Sequence, residues 1–512
     1  MNHNNMKKKK VTIIIPPVVC HNLDPHTGIP FMPHMAAYLA SQLKQDGFSV
    51  QVLDSFGILS SEIVRVKDEF LLMGLSIEKL VSRVPSDTSV CFIYCRTVAE
   101  LIAIELVISA LKKHLPAIRI LLFENIQAVT SFSIMEVAQE LLNKDVDVII
   151  SGEPEDRAKL IVEKLTFYDG EGLENIPGIA FLKDNVYIQT QTAVLPEKLD
   201  ALPFPAWELF DLQGYWDIHF AHAPVKKNEK FLPLLTSRGC PFSCNFCIAP
   251  ALNHTWRARS AKNVVDEMAH FNRTMGITDF HISDLNPTVN DGRIREICRD
   301  IIKRGLCISW KLAQGTKIET IKDGETLKLM GAAGCRFISF SPETGSSKLL
   351  ATMNKPFDYE HGLKMARLMH EANIRIQAVF LAGVPGETVE DQRLSLSYAT
   401  KLLKAGVDEI SLVVYAPLPG TNFSNLVKGY THPSQCTPSP AWREDYTDLM
   451  KYRKKMYLNL LRVKIFYHPI ELLKNALRIL MKNFETKMEM SIYKKIKLLF
   501  MSRKAKVKKG VI

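Results

Sequence analysis

Residues 231–247 read FLPLLTSRGCPFSCNFC: an apolar run that predicts a strand over 232–238 passes directly into a loop holding Cys240, Cys244 and Cys247. Working downstream from it, apolar runs predict strands at 279–284, 308–314, 336–342, 374–383 and 409–416, each separated from the next by a helical pattern. Six βα units in succession call for a parallel sheet with helical crossovers. The expected fold is a partial (β/α)6 barrel, with the cysteine loop at the C-terminal end of its first strand. That end is where ligands of α/β folds usually sit.

Upstream, strands predicted at 11–15, 48–53, 89–94, 118–123 and 146–150 alternate with helices near 32–46, 98–114 and 132–143. This is the rhythm of a doubly wound, Rossmann-like α/β domain. Pro177-Gly178 and the proline-rich run 199–207 interrupt it, because proline continues neither a helix nor a central strand. The expected organisation is an α/β domain over 1–165, a linker over 166–230, the barrel over 231–435 and a helical, basic region over 436–512.

Of the 512 residues 47% are hydrophobic and 23% charged, which excludes a disordered or collagen-like chain. Ten cysteines over this length do not indicate a disulfide scaffold. No apolar run reaches about 18 residues, so no spanning helix is expected. Lys7 to Lys10 precede an apolar stretch, but Pro16-Pro17 follows at once with no small-residue cleavage site, and a cytoplasmic protein is expected. The net charge of +11 is uneven: residues 451–512 carry 18 Lys+Arg against 3 Asp+Glu, leaving 1–450 at −4.

Three thiolates can hold three irons of a 4Fe-4S cluster and leave the fourth iron open for a substrate. The alternative, structural zinc, wants four protein ligands, and only His254 lies close enough to serve. The Cys-x3-Cys-x2-Cys spacing, with Phe246 before the last cysteine, resembles the radical S-adenosylmethionine (radical SAM) enzymes. The resemblance implies that Cys240, Cys244 and Cys247 bind the cluster and that Phe246 packs near the adenine of S-adenosylmethionine (SAM). One electron from the reduced cluster would then cleave the sulfonium to a 5′-deoxyadenosyl radical. Segment 256–267 is similar to the family's stretch after the cluster loop, and Asp284-Leu285-Asn286 ends the second strand where the family often has acidic residues. Residues 341–346, followed by Leu350, Met353 and Lys355, resemble the motif after the fourth strand whose carboxylate reaches the ribose. Residues 383–388 and 415–421 resemble the turns after the fifth and sixth strands. SAM would thus meet Phe246, Asp284, Glu343, Gly345 and Gly383, although Asp284 also reads as a strand cap and Thr388 as the cap of the next helix.

An α/β domain ahead of such a barrel, with the 199–207 linker and the turn Gly152-Glu153-Pro154-Glu155, resembles the cobalamin-binding class of the family. That class implies cobalamin as a third cofactor beside the cluster and SAM, and methylation of carbon or a related rearrangement or cyclisation. Two departures bear on cobalamin. The motif Asp-x-His-x-x-Gly is missing, since Asp24-Pro25-His26-Thr27-Gly28 is one residue short, and Glu124-Asn125 stands where a Gly-Gly is usual, so side chains are expected to obstruct the nucleotide arm. Cys91 and Cys95, and likewise Cys298, Cys307 and Cys335, read as core residues.

In the tail, Leu473, Ala476, Leu477, Leu480 and Phe484 recur at helical spacing, with Lys474, Arg478 and Lys482 on another face. Peripheral contact with the inner face of a membrane and packing on the barrel are both open readings. No specific nucleic acid is expected. The resulting expectation is a radical SAM methyltransferase for a small or lipid-like intermediate, served by a reducing protein such as a flavodoxin or ferredoxin. A tRNA-modifying methylthiotransferase and a non-catalytic corrinoid-binding or membrane-surface protein are the alternatives.

Overall fold

A computed structural model describes residues 9–21, 26–66, 70–128, 130–252, 254–503 and 506–507. They form two compact units: 1–126, 130–218 and 500–512 make the first, and 127–129 with 219–499 the second.

The first unit is built on a seven-stranded sheet. Its parallel strands are β1 (Lys10–Ile15), β2 (Ser49–Asp54), β3 (Thr88–Cys95), β4 (Arg119–Glu124) and β5 (Val148–Ile150). Two antiparallel strands, β6 (Ile179–Lys183) and β7 (Val186–Gln189), complete the order β7-β6-β5-β4-β3-β1-β2. The stretch 166–230 is therefore not the expected linker. Asp184 and Asn185 both take positive φ, the geometry of a two-residue hairpin turn, and so return β7 along β6. Helices α1 (His34–Gln45), α2 (Leu101–His114) and α3 (Ala158–Phe167) bury apolar faces that include Leu39, Val107 and Ile161. Val11, Ile13, Phe92, Leu121 and Ile149 are each fully buried, as expected of parallel strands covered on both faces. A second, small sheet of Val18–His21, Ile63–Val66 and Phe70–Met73 has no counterpart in the predicted elements, and Lys506–Val507 adds a strand where a strandless tail was expected. Its strands have only two or four residues, too few for a periodicity to show.

The second unit is the expected partial barrel, with six parallel strands in chain order: β8 (Phe231–Leu234), β9 (Asp279–Ile282), β10 (Ser309–Thr316), β11 (Cys335–Glu343), β12 (Arg375–Ala382) and β13 (Glu409–Val414). The crossover helices are α4 (Ala261–Met275), α5 (Asp291–Lys303), α6 (Gly324–Ala332), α7 (Ser347–Thr352), α8 (Tyr359–Glu371) and α9 (Val389–Lys404). Each is started by a short polar side chain that accepts from the first turn: Ser260, Asn290, Asp323, Ser346, Asp358 and Thr388. Such a cap contributes about 1 kcal/mol, which helps explain why strand-to-helix turns occur where they do. After the barrel come α10 (Tyr446–Tyr467) and α11 (Pro469–Met481), which belong to this unit and not to a separate region over 436–512.

Cys91, Cys95, Cys298 and Cys335 are buried, whereas Cys307, expected in the core, is exposed. It lies between the end of α5 and the start of β10, where its neighbours Leu306 and Ile308 do the packing.

Candidate functional site

The three cysteines leave the first barrel strand on one loop, turned by Gly239 at φ +83°. Asn245 is the hub of that loop. Its N–H donates to Met353 O at 2.9 Å and its carbonyl accepts from Phe423 N at 3.2 Å. Its side-chain amide donates to Thr352 O at 2.8 Å and accepts from Asn422 Nδ2 at 3.1 Å. Asn354 Nδ2 adds a bond to Ser243 O at 2.8 Å. The loop is thus fastened both to the segment after β11 and to the segment after β13. No spacing rule points to Asn245, Asn354 or Asn422, because these ties are made across more than 100 residues of chain.

Burial raises all three thiols above their ordinary range, Cys247 up to about 12. The ammonium groups of Lys355 and Lys317 act in the opposite direction on Cys240 and Cys244. Iron binding requires thiolates, so assembly of a cluster releases protons and is favoured by those two cations. Among the described residues no three His, Cys, Asp or Glu side chains converge on a single ion, the arrangement structural zinc would need. Three thiols on one loop fit three separate irons of a cluster. Cys20, Cys91 and Cys95 are all buried, unlike the three half-buried cysteines of the loop.

Glu343 closes β11 with φ +66°, beside an irregularity in the β11–β12 register. A non-glycine residue in that region costs on the order of 1–3 kcal/mol and persists where its surroundings over-determine it. The carboxylate is buried and ion-paired with Lys355, whose ammonium also donates to Ser341 O at 2.9 Å. Burial raises the Glu343 carboxyl, and Lys355 opposes that shift. Lys355 lies 5.8 Å from the Phe246 ring centre, and Lys317 5.1 Å from that of Phe242. Phe246 packs on the cluster formed by Leu349, Met353, Val384, Tyr415 and Phe423. The cysteine loop, Phe246, Lys355 and Glu343 therefore form one site.

Other predicted residues fall differently. Asp284 is buried and accepts from Thr236 N at 2.7 Å, Thr236 Oγ1 at 2.6 Å and Ser237 Oγ at 2.5 Å. Its carboxylate ties the ends of β8 and β9 together, as the strand-cap reading describes. Two residues on, Asn286 accepts from Thr316 Oγ1 at 2.8 Å while its buried Nδ2 has no hydrogen-bond partner. An unmet buried donor costs about 1–3 kcal/mol, which makes Asn286 the better ligand-facing candidate on this strand end. Gly345 is needed for packing: a Cβ there would overlap the backbone of Leu394 and Ser395 in α9, and its N–H donates to Ser395 Oγ at 2.9 Å. Gly383, at φ +74°, donates to the Glu387 carboxylate at 2.6 Å, and burial pushes that carboxyl up to about 7. Thr388 and Asp391 form a reciprocal capping box, in agreement with the capping alternative. In segment 256–267, Arg259 pairs with Glu267 at 2.6 Å and Ser260 caps α4, a structural assignment for both.

In the first unit, strand order reverses between β1 and β3, the place where doubly wound sheets bind ligands. Glu124 does not stand out there as expected. Its buried carboxylate accepts from Ile134 N at 2.8 Å, Ser151 Oγ at 2.6 Å and Gly152 N at 2.8 Å, so it is folded into the domain as a brace for two loops. Asn125 is likewise buried, its Nδ2 donating to Arg96 O at 3.5 Å and its backbone N–H to Cys95 O at 3.0 Å. Asp54, at the end of β2, is pushed up to about 6 by burial and accepts from Tyr215 Oη at 2.8 Å. Arg96, just past β3, pairs with Glu100 at 2.6 Å. Of the short motif at 24–28, Asp24 and Pro25 lie outside the described residues.

The loss of Asn245 ties is directly measurable. Asn245→Ala removes two side-chain hydrogen bonds of about 1 kcal/mol each. Iron release to a chelator, followed by visible absorbance of the reconstituted protein, is expected to quicken severalfold while the secondary structure stays unchanged.

Comparison with known proteins bears directly on this site. Residues 234–399 match the Radical SAM superfamily. The cytidylyl-2-hydroxyethylphosphonate methyltransferase of Streptomyces wedmorensis is 26% identical over 440 residues, 78% of either chain. The anaerobic magnesium-protoporphyrin IX monomethyl ester cyclase of Cereibacter sphaeroides is 29% identical over 250 residues, 48% of this chain and 39% of that one. The fold is shared with the radical SAM methyltransferase TsrM of Kitasatospora setae, whose structure holds cobalamin and a 4Fe-4S cluster, at TM-score 0.62 and 17% identity over 82% of this chain and 74% of that one. The cysteine loop fastened to the glutamate strand of a six-stranded barrel lies within a radical SAM domain over 234–399, and the chain as a whole is similar in sequence to a methyltransferase and in fold to a radical SAM enzyme whose structure holds cobalamin.

Proposed function

We propose that this enzyme is a cobalamin-dependent radical SAM methyltransferase acting on carbon of a small biosynthetic intermediate. The observation that carries the reading is the joint site of Cys240, Cys244 and Cys247 with Phe246, Lys355 and Glu343. When bound, the cluster supplies one electron to the sulfonium of SAM and the corrinoid supplies a transferable methyl group. Cys240, Cys244 and Cys247 hold the cluster. Glu343 accepts from the ribose hydroxyls of SAM, and Lys355 keeps that buried carboxylate ionised and aimed. Phe246 and its apolar cluster exclude water from the adenine side. Asn286 Nδ2 offers a donor still to be met. The inward folding of Glu124 and Asn125 supports a place for the corrinoid in the first unit. Ring closure is the second outcome of the same site, favoured by the likeness to a monomethyl ester cyclase. A flavodoxin or ferredoxin supplies the electron.

Anaerobic purification from cobalamin-fed cells, with iron and corrinoid quantified on one sample, tests the cofactors. A cluster with about one corrinoid per chain is expected on this assignment. A cluster without corrinoid would remove the methyl-transfer reading, and absence of reductive SAM cleavage would remove the enzyme assignment at this site.

A further inference from the structure

Helix α11 is built inside out. Its half-buried side holds Glu471 and Arg478, in a network with Arg375 and Glu485: Arg375–Glu471 at 3.0 Å, Arg478–Glu471 at 2.7 Å and Arg478–Glu485 at 2.9 Å. Its outer side displays Ile470, Leu473, Leu477, Leu480 and Met481, each more than half exposed, and the helix buries no residue. A surface helix of a water-soluble domain normally has the opposite arrangement, with its apolar stripe on the core. The end of α10 repeats the feature, since Leu458, Leu461 and Ile465 recur at helical spacing and are exposed, followed by exposed Phe466. Contiguous apolar surface of this kind marks an interaction site.

The charges around it say what kind. Lys454 and Lys455 stand one turn before Leu458, Arg462 sits beside Leu461, and Lys474 lies between Leu473 and Leu477, all four exposed. A second copy docked through the same stripe would bring these cations against one another. An anionic lipid surface complements both features: acyl chains accept the leucines and headgroups the cations. The 13 residues of α11 extend about 20 Å, too short to cross a bilayer but suited to lie in its interface. No helix among the described residues is long and apolar enough to span a membrane.

We propose that the outer face of α11, with the end of α10, is a peripheral docking surface for anionic membrane. It is independent of the cofactor assignment and is read without activity. The full-length protein is centrifuged with sucrose-loaded vesicles of 70:30 phosphatidylcholine to phosphatidylglycerol and with pure phosphatidylcholine vesicles, at low and high salt. Binding is expected to the anionic vesicles, at least about tenfold weaker on the neutral ones and reduced at high salt. Leu473→Glu with Leu477→Glu is expected to weaken binding by a further factor of about ten or more, since two buried leucines are lost. Lys474→Gln, which leaves the apolar stripe intact, should weaken it by a few-fold. Because the leucines are exposed, the circular dichroism spectrum and iron content of the variants should match wild type. Equal binding to neutral vesicles, no binding to either, or a dimer in light scattering that the double variant dissociates would overturn the proposal.

Discussion

Alanine at Cys240, Cys244 or Cys247 is expected to abolish the 4Fe-4S absorbance of the reconstituted enzyme and to reduce SAM cleavage to background. On the proposed assignment each thiolate would hold its own iron, so the loss of one leaves the cluster a ligand short. Alanine at Cys298, on the buried face of α5, or at exposed Cys307 should leave iron and sulfide content at the wild-type level. The contrast separates ligand loss from general damage, because Cys298→Ala is the change that disturbs the core. Melting temperatures of the three loop variants without cluster should stay close to that of cluster-free wild type, since the loop is fastened through Asn245, Asn354 and Phe423 and not through its sulfurs. Retention of cluster absorbance by any of the three loop variants would refute the ligand assignment.

The second large effect is expected at Lys355. Lys355→Met leaves the Glu343 carboxylate buried without its cation, at a cost on the order of 3–5 kcal/mol. The pH dependence has a definite sign. Burial already sets the Glu343 carboxyl above its unfolded value, so the native state takes up a proton that the unfolded chain at the same pH does not. The penalty is therefore full above the folded value and relieved as pH falls through it. Removing the opposing ammonium raises that value further, so as pH falls the variant should begin to regain stability at a higher pH than wild type. A double variant, Lys355→Met with Glu343→Gln, should recover much of the lost stability at neutral pH but not the affinity for SAM. Thermal melts across pH, with SAM titrated calorimetrically into cluster-loaded protein, measure both. A melting curve for Lys355→Met with the pH profile of wild type would show that the pair is not the coupled unit described above.

Much of the barrel is legible in the order of its residues. Its strands are apolar runs of four to nine residues, and each helix start carries a capping side chain, so period and punctuation agree. The cysteine spacing places the cluster loop at the end of the first strand, and Glu343 shares its site. Short elements are not legible in this way. Val18–His21 and Phe70–Met73 are too brief to show a period, and β6 and β7 hide among prolines that mark turns beside the sheet, not a linker.

Side-chain direction is also out of the sequence's reach. Asp284 and Glu343 look alike in sequence, each a carboxylate at a strand end, yet Thr236 and Ser237 consume the first while Lys355 aims the second. Glu124 has the look of an obstruction and is a brace. Gly345 reads as a ligand contact, and only the folded structure shows that it also lets α9 approach closely. The amphipathic pattern of α11 is visible as a stripe, but which side faces the protein is decided by Arg375 and Glu485, about 100 residues apart in the chain. Local sequence determined where strands and helices form, where they turn and which thiols share a loop, because those depend on neighbours within a few residues. Tertiary structure alone decided which polar groups satisfy one another and which remain for a ligand or a surface, because hydrogen bonds and ion pairs are made between residues that only folding brings together.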